Sequence, residues 1–139
     1  MENDQTINKQ VLALIVPAEI LESFQLSGVF ESKEVIELQL HERKDLIPAS
    51  LQGMDVVLDG FCNPIELQSF PLQGKATFIK LFRRRWKQRG TSDHRSNTYD
   101  FTAPGTKATR KFGAFLKGAF GLSPDSFQHA RHRAMHPRK

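Results

Sequence analysis

Apolar and polar residues follow one another along this chain with two different rhythms, and the places where the rhythm changes divide it into elements. Across residues 8–24 the apolar side chains Val11, Leu14, Ile15, Ile20, Leu21 and Phe24 recur at helical spacing on either side of Pro17. Proline fits the first turn of a helix and breaks a helix interior, so the pattern predicts two short core helices hinged near Val16. The period then falls to two. Residues 25–30 and 34–43 read as a hairpin around Glu31, Ser32 and Lys33, with Ile36, Leu38 and Leu40 inward and His41 on a solvated polar face.

A connector over residues 44–54 leads to short strands at 56–61 and 65–70, separated by Asn63 and Pro64. Pro71 and Gly74 bound a turn, because proline presets an early turn position and glycine supplies a positive φ. Residues 76–86 form the strand around which the rest is organised. Its first half is apolar on both faces, which predicts a place inside a sheet, and its second half carries Arg83, Arg84 and Arg85 beside Trp86. The expectation is a strand that leaves the core as a basic prong. A polar loop at 87–95 precedes a last strand at 97–101, with Tyr99 and Phe101 on one face. Connections this short suit antiparallel neighbours, so the reading is an antiparallel meander of five to six strands.

Beyond Pro104 and Gly105 the period returns to helical. Phe112, Phe115, Leu116, Ala119 and Phe120 mark an amphipathic helix over residues 106–120. Gly121, Ser123 and Pro124 then supply a stop, a cap and a new start for a second helix at 124–135. The fold class is α+β: N-terminal helices, the meander and a C-terminal helical pair. Residues 1–104 form the α+β domain and residues 105–139 a helical appendage that opens as a helix-turn-helix does, although most such pairs bind no DNA.

Charge changes the picture more than composition does. The net charge is +5, yet residues 1–70 hold 4 Lys+Arg against 12 Asp+Glu, or −8, and residues 71–139 hold 16 against 3, or +13. A strongly basic half joined to an acidic one is the footprint of a nucleic-acid-binding surface attached to a structural or protein-contacting part. No apolar run approaches the roughly 18 to 20 residues of a membrane span, and the start of the chain is acidic and polar where a signal peptide is basic, so a cytoplasmic protein without a membrane partner is expected.

Catalytic and metal chemistry find little support in the residues. The lone Cys62 excludes an internal disulfide and a multi-cysteine zinc site. His129, His132 and His136 share a helical spacing, but no carboxylate or cysteine accompanies them, so no metal or other cofactor is expected. Nucleophile motifs and glycine-rich phosphate loops are missing, and the expectation is a protein that is not an enzyme. The candidate DNA-binding set is Arg83, Arg84, Arg85, Trp86, Lys87 and Arg89, with Lys107, Arg110 and Lys111 as a second basic edge.

The run LQSFPLQGKATFIKLFRRRWKQ, the later TYDF and the segment GTKATRKFGAFLKGAFG together resemble the N-terminal region of bacterial insertion-sequence transposases. The nearest resemblance is to the separately encoded N-region protein of ISAon-type elements. It rests on Ser69, Phe70, Pro71, Gly74, Lys75, Leu81, Arg83, Arg84, Arg85, Trp86, Tyr99, Gly105, Thr106, Phe112, Phe115 and Leu116, over about residues 50–122. The wider family carries zinc-binding cysteine pairs and a DDE catalytic domain. This sequence has neither, so the resemblance implies a non-catalytic module that binds transposon terminal repeats and works with a separately encoded catalytic transposase subunit. Two alternatives stay open: an assembly subunit with only non-specific attraction for DNA, and a degenerate transposase fragment.

Overall fold

The computed structural model describes residues 4–120. The second C-terminal helix expected at 124–135 lies outside the described residues, as do His129, His132 and His136. Within them the chain is α+β, with helices first, strands in the middle and a helix last. The order is α1 (Asp4–Ala13), α2 (Ala18–Leu21), β1 (Phe24–Glu31), β2 (Val35–Glu42), a 3-10 turn (Ala49–Leu51), β3 (Val56–Phe61), β4 (Ile65–Leu72), β5 (Lys75–Phe82), β6 (Arg84–Gln88), β7 (His94–Arg95) and α3 (Arg110–Phe120).

The hinge at Pro17 is present, and proline takes the cap position of α2. The helices are less of a core than the apolar spacing implies. Val16, Ile20 and Phe24 are buried, but Ile7, Val11 and Leu14 are exposed, Leu14 at 86%. The hairpin of β1 and β2 is present with Ile36, Leu38 and Leu40 inward, and its ladder carries a bulge between Leu26 and Gly28. His41, expected in solvent, is half-buried and stacks on Phe82 with ring centroids 4.7 Å apart.

The strands do not make one antiparallel meander. They form a four-stranded sheet of order β1-β2-β5-β4 and a three-stranded sheet of order β3-β6-β7. In the first sheet β2 and β5 run parallel, from Val35 opposite Ala76 to His41 opposite Phe82. Short connections constrain only consecutive strands. Residues 43–74, which contain the 3-10 turn, β3 and β4, supply the long crossover that a parallel pair needs. The tight β4–β5 turn places positive φ at Gln73 (52°) and Gly74 (74°), the mirror-image geometry that matches the twist of a hairpin.

β5 is internal, as its two-sided apolar sequence requires. Thr77, Ile79 and Leu81 are fully buried on the face that meets Val16, Ile20, Leu67 and Phe101. The strand nevertheless stops at Phe82. Arg84 begins β6 in the other sheet, so the single strand expected over 76–86 is two strands joined at Arg83, and β6 is flanked by β3 and β7 rather than projecting. Residues 97–101 form no strand. They cross the core as irregular chain, with Tyr99 and Phe101 stacked at 5.2 Å and both edge-on to Phe24.

The outer edge of β4 is covered. Gln68 donates its N–H to the carbonyl of Lys107 at 2.8 Å, and Thr109 donates to the carbonyl of Gln68 at 2.9 Å. Those backbone groups are therefore unavailable to a helix, and α3 starts only at Arg110, with the Thr109 hydroxyl accepting the Phe112 N–H as its cap. From there α3 packs on β4 through Phe112 against Phe70, 5.1 Å between centroids. Gly113 makes the approach close enough, since a Cβ there would stand 2.7 Å from that of Ala103.

Candidate nucleic-acid interface

The arginine triplet sits at the seam between the two sheets, and the reason lies in what happens to one backbone N–H. Inside a sheet the N–H of Arg84 would bond a neighbouring strand. Here it donates to Oε1 of Glu42 at 2.9 Å, and the Arg84 Nε donates to the carbonyl of Glu42 at 2.7 Å. Glu42 is 1% exposed at the end of β2. A buried carboxylate demands hydrogen-bond donors, and the Glu42 Oε2 receives two more, Nδ2 of Asn97 at 3.0 Å and the hydroxyl of Tyr99. Burial first, and the carboxylate it donates to second, push the Tyr99 phenol well above its ordinary range. The phenol therefore remains a donor.

Each arginine has its own anchor. Arg83 donates through Nη1 to the carbonyl of Asn97 at 3.1 Å, and its Nε is buried without a partner among the described residues. Arg84 places its guanidinium 5.1 Å from the centroid of Phe61. Arg85 donates its Nε to the carbonyl of Asp59 at 2.9 Å, where β3 bulges beside Gly60 with φ at 78°. All three are half-buried, not displayed on a free prong. Trp86 is 5% exposed, which removes its ring from the set available to stack on a base.

The charge asymmetry of the sequence is partly interleaved in space. Arg89 pairs with Asp55 at 2.9 Å, Lys75 with Glu31 at 2.6 Å, and Arg110 bridges Glu19 at 3.0 Å and Asp100 at 3.4 Å. His94 meets Asp59, and that hydrogen bond first, then Lys87 and Arg85, hold the Asp59 carboxyl below the usual carboxylate range. Of the expected DNA-binding residues, Arg89 and Arg110 are thus taken up by carboxylates and Trp86 by the interior. Arg83, Arg84, Arg85, Lys87, Lys107 and Lys111 make no ion pair with any described residue. Lys107 and Lys111 are also exposed, with Phe115 exposed a turn beyond Lys111 on α3. They lie at the α3 side of β4, apart in the chain from the seam.

Glu42, Asn97 and Phe61 were not singled out by sequence, although one signal existed. Glu42 continues the inward parity of Ile36, Leu38 and Leu40, which places a carboxylate in the interior. A cleft of about 230 Å3 opens beside this hub, lined by Ser23, Asp45, Gln52 and Tyr99 among others. Of its polar groups, Asp45 is engaged with Arg43 and Gln52 with the carbonyl of Ile47. Comparison with protein-family models, curated proteins and solved structures finds no match to this chain.

Proposed function

We propose that the chain is the non-catalytic, DNA-binding N-terminal region of an insertion-sequence transposase, holding element ends for a separately encoded DDE subunit. The observation that carries this reading is that Arg83, Arg84, Arg85 and Lys87, adjacent at the seam, and Lys107 and Lys111 beside α3 form no ion pair with any described residue. A lysine or arginine outside an ion pair is available to a phosphate. Arg84 serves the fold first, so Arg85, Lys87, Lys107 and Lys111 are the phosphate contacts.

The test is binding of the whole chain to duplex carrying the terminal repeats and to scrambled duplex, over a series of salt concentrations. Four phosphate contacts give a slope of log K against log salt near about −3.6. A flat salt series removes the reading. Equal affinity for the two duplexes favours the assembly-subunit alternative. That alternative has its own support in the exposed apolar stripe of Ile7 and Val11 on α1 and Leu14 just past its end, a face fit to meet another protein.

A further inference from the structure

The face of the four-stranded sheet that points away from α1 and α2 carries a row of rings and cations that the phosphate contacts leave unused. On β2 and β5 the inward positions are Leu38, Leu40, Ile79 and Leu81, so Gln39, His41, Lys80 and Phe82 point the other way. His41 and Phe82 lie parallel, with an interplanar angle of 11°. Phe61 reaches over from β3 and stands edge-on to both, at 5.1 Å from His41 and 6.3 Å from Phe82. The row ends in a cation on each side. Lys80 Nζ is 5.9 Å from the Phe82 centroid but also 4.0 Å from the Glu37 carboxylate, whereas the Arg84 guanidinium is 5.1 Å from the Phe61 centroid and pairs with no described carboxylate.

Three further features bear on what this row accepts. Phe61 is 41% exposed although it lies against two half-buried rings. Burial first, and Arg84 second, lower the His41 pKa below its ordinary value, so at neutral pH the imidazole is an uncharged ring. Gln25, opposite His41 in the β1–β2 ladder, is exposed and supplies an amide at the margin. A row of rings with an arginine beside its most exposed member suits a ligand that is both flat and anionic. A duplex hides the flat faces of its bases in its own stack, whereas an unpaired strand offers them to aromatic side chains and its phosphates to the cations.

We infer that this sheet face is a stacking site for unpaired nucleotides, with Phe61 as the ring on which a base lies and Arg84 toward the adjoining phosphate. The inference rests on the nucleic-acid reading above and narrows one part of it, from duplex to a single-stranded or opened end. Phe61 also helps to close the seam between the sheets, and the test has to separate that service from stacking.

Labelled oligothymidylate and an abasic strand of equal length carry the same phosphates and differ only in bases. Fluorescence anisotropy on the full chain should show oligothymidylate bound about tenfold or more tightly, the scale of one base–aromatic stack. Phe61→Leu keeps an apolar side chain at the seam without a ring, and Phe61→Tyr keeps the ring. Both should melt with the unmodified protein, while Leu abolishes the preference and Tyr retains it. Equal binding of the two strands by the unmodified protein overturns the inference without any variant, as does a preference that survives Phe61→Leu. Equal binding of both strands together with tight, salt-dependent duplex binding leaves the phosphate reading standing; a base preference with no duplex binding does the reverse.

Discussion

Glu42 and Arg84 grip each other at two points, side chain to backbone in both directions. The Arg84 N–H donates to the Glu42 carboxylate at 2.9 Å and the Arg84 Nε to the Glu42 carbonyl at 2.7 Å. This exchange joins the last residue of β2 to the first of β6, and so joins one sheet to the other. It also explains why three consecutive arginines act differently.

Removing the carboxylate strands several donors at once. Glu42→Ala takes this acceptor from the Arg84 N–H and the Tyr99 hydroxyl and leaves the Asn97 amide only the Leu46 carbonyl, and an unsatisfied buried polar group costs about 1 to 3 kcal/mol. A total loss of about 3 kcal/mol or more is expected in urea unfolding. Glu42→Gln should recover part of it, since one amide oxygen remains, but its NH2 then faces a donor. A Gln variant as stable as the parent would mean the hub is not buried as described.

The triplet should separate into roles. Arg84→Ala removes a charge-assisted bond and the cover over Phe61, and should cost about 2 kcal/mol of stability. Arg85→Ala and Lys87→Ala should leave the melting transition near its original position and each reduce the salt slope of duplex binding by about 0.9. Arg83→Ala frees the carbonyl of Asn97 and should increase amide exchange in residues 96–99. Uniform effects from all three alanines, measured by melting and by anisotropy, would contradict the anchors assigned to them.

Gly113→Ala sets helix propensity against packing. In an isolated helix the change is favourable by about 1 kcal/mol. Here the added methyl would stand 2.7 Å from the Cβ of Ala103, and overpacking of this kind typically costs about 1 to 3 kcal/mol. Net destabilisation is expected, together with faster exchange of α3 amides. A stabilised variant would show that α3 does not sit this close to Ala103.

His41 makes stability depend on pH in one direction. Its folded pKa is lowered, so the unfolded chain binds the proton more readily and folding loses stability as pH falls below the unfolded value near 6.5. Above that pH the contribution is fully present. The urea midpoint should therefore drop between about pH 7 and pH 5, and His41→Gln should flatten that part of the profile. An unchanged profile in the variant would assign the dependence to other groups.

Sequence by itself determined the elements whose causes are local. Pro17 ends one helix and starts another, the alternation of Ile36, Leu38 and Leu40 fixes a buried face, and the two-sided apolar run from Ala76 to Leu81 places β5 between neighbours. These follow from backbone sterics and from the period of burial, which a linear string records. Tertiary structure alone decided how the strands associate and what the arginines do. The parallel pairing of β2 with β5 depends on a long crossover that no neighbouring residues reveal. The break at Arg83 depends on Glu42, 42 positions from Arg84, offering a carboxylate where a strand would have offered a carbonyl. The −8 and +13 halves are partly interleaved because sheet pairing sets Glu31 and Glu37 beside Lys75 and Lys80 and lets Arg110 reach Glu19. Charge along a sequence is a sum over neighbours in the chain, whereas the field that a phosphate meets is a sum over neighbours in space.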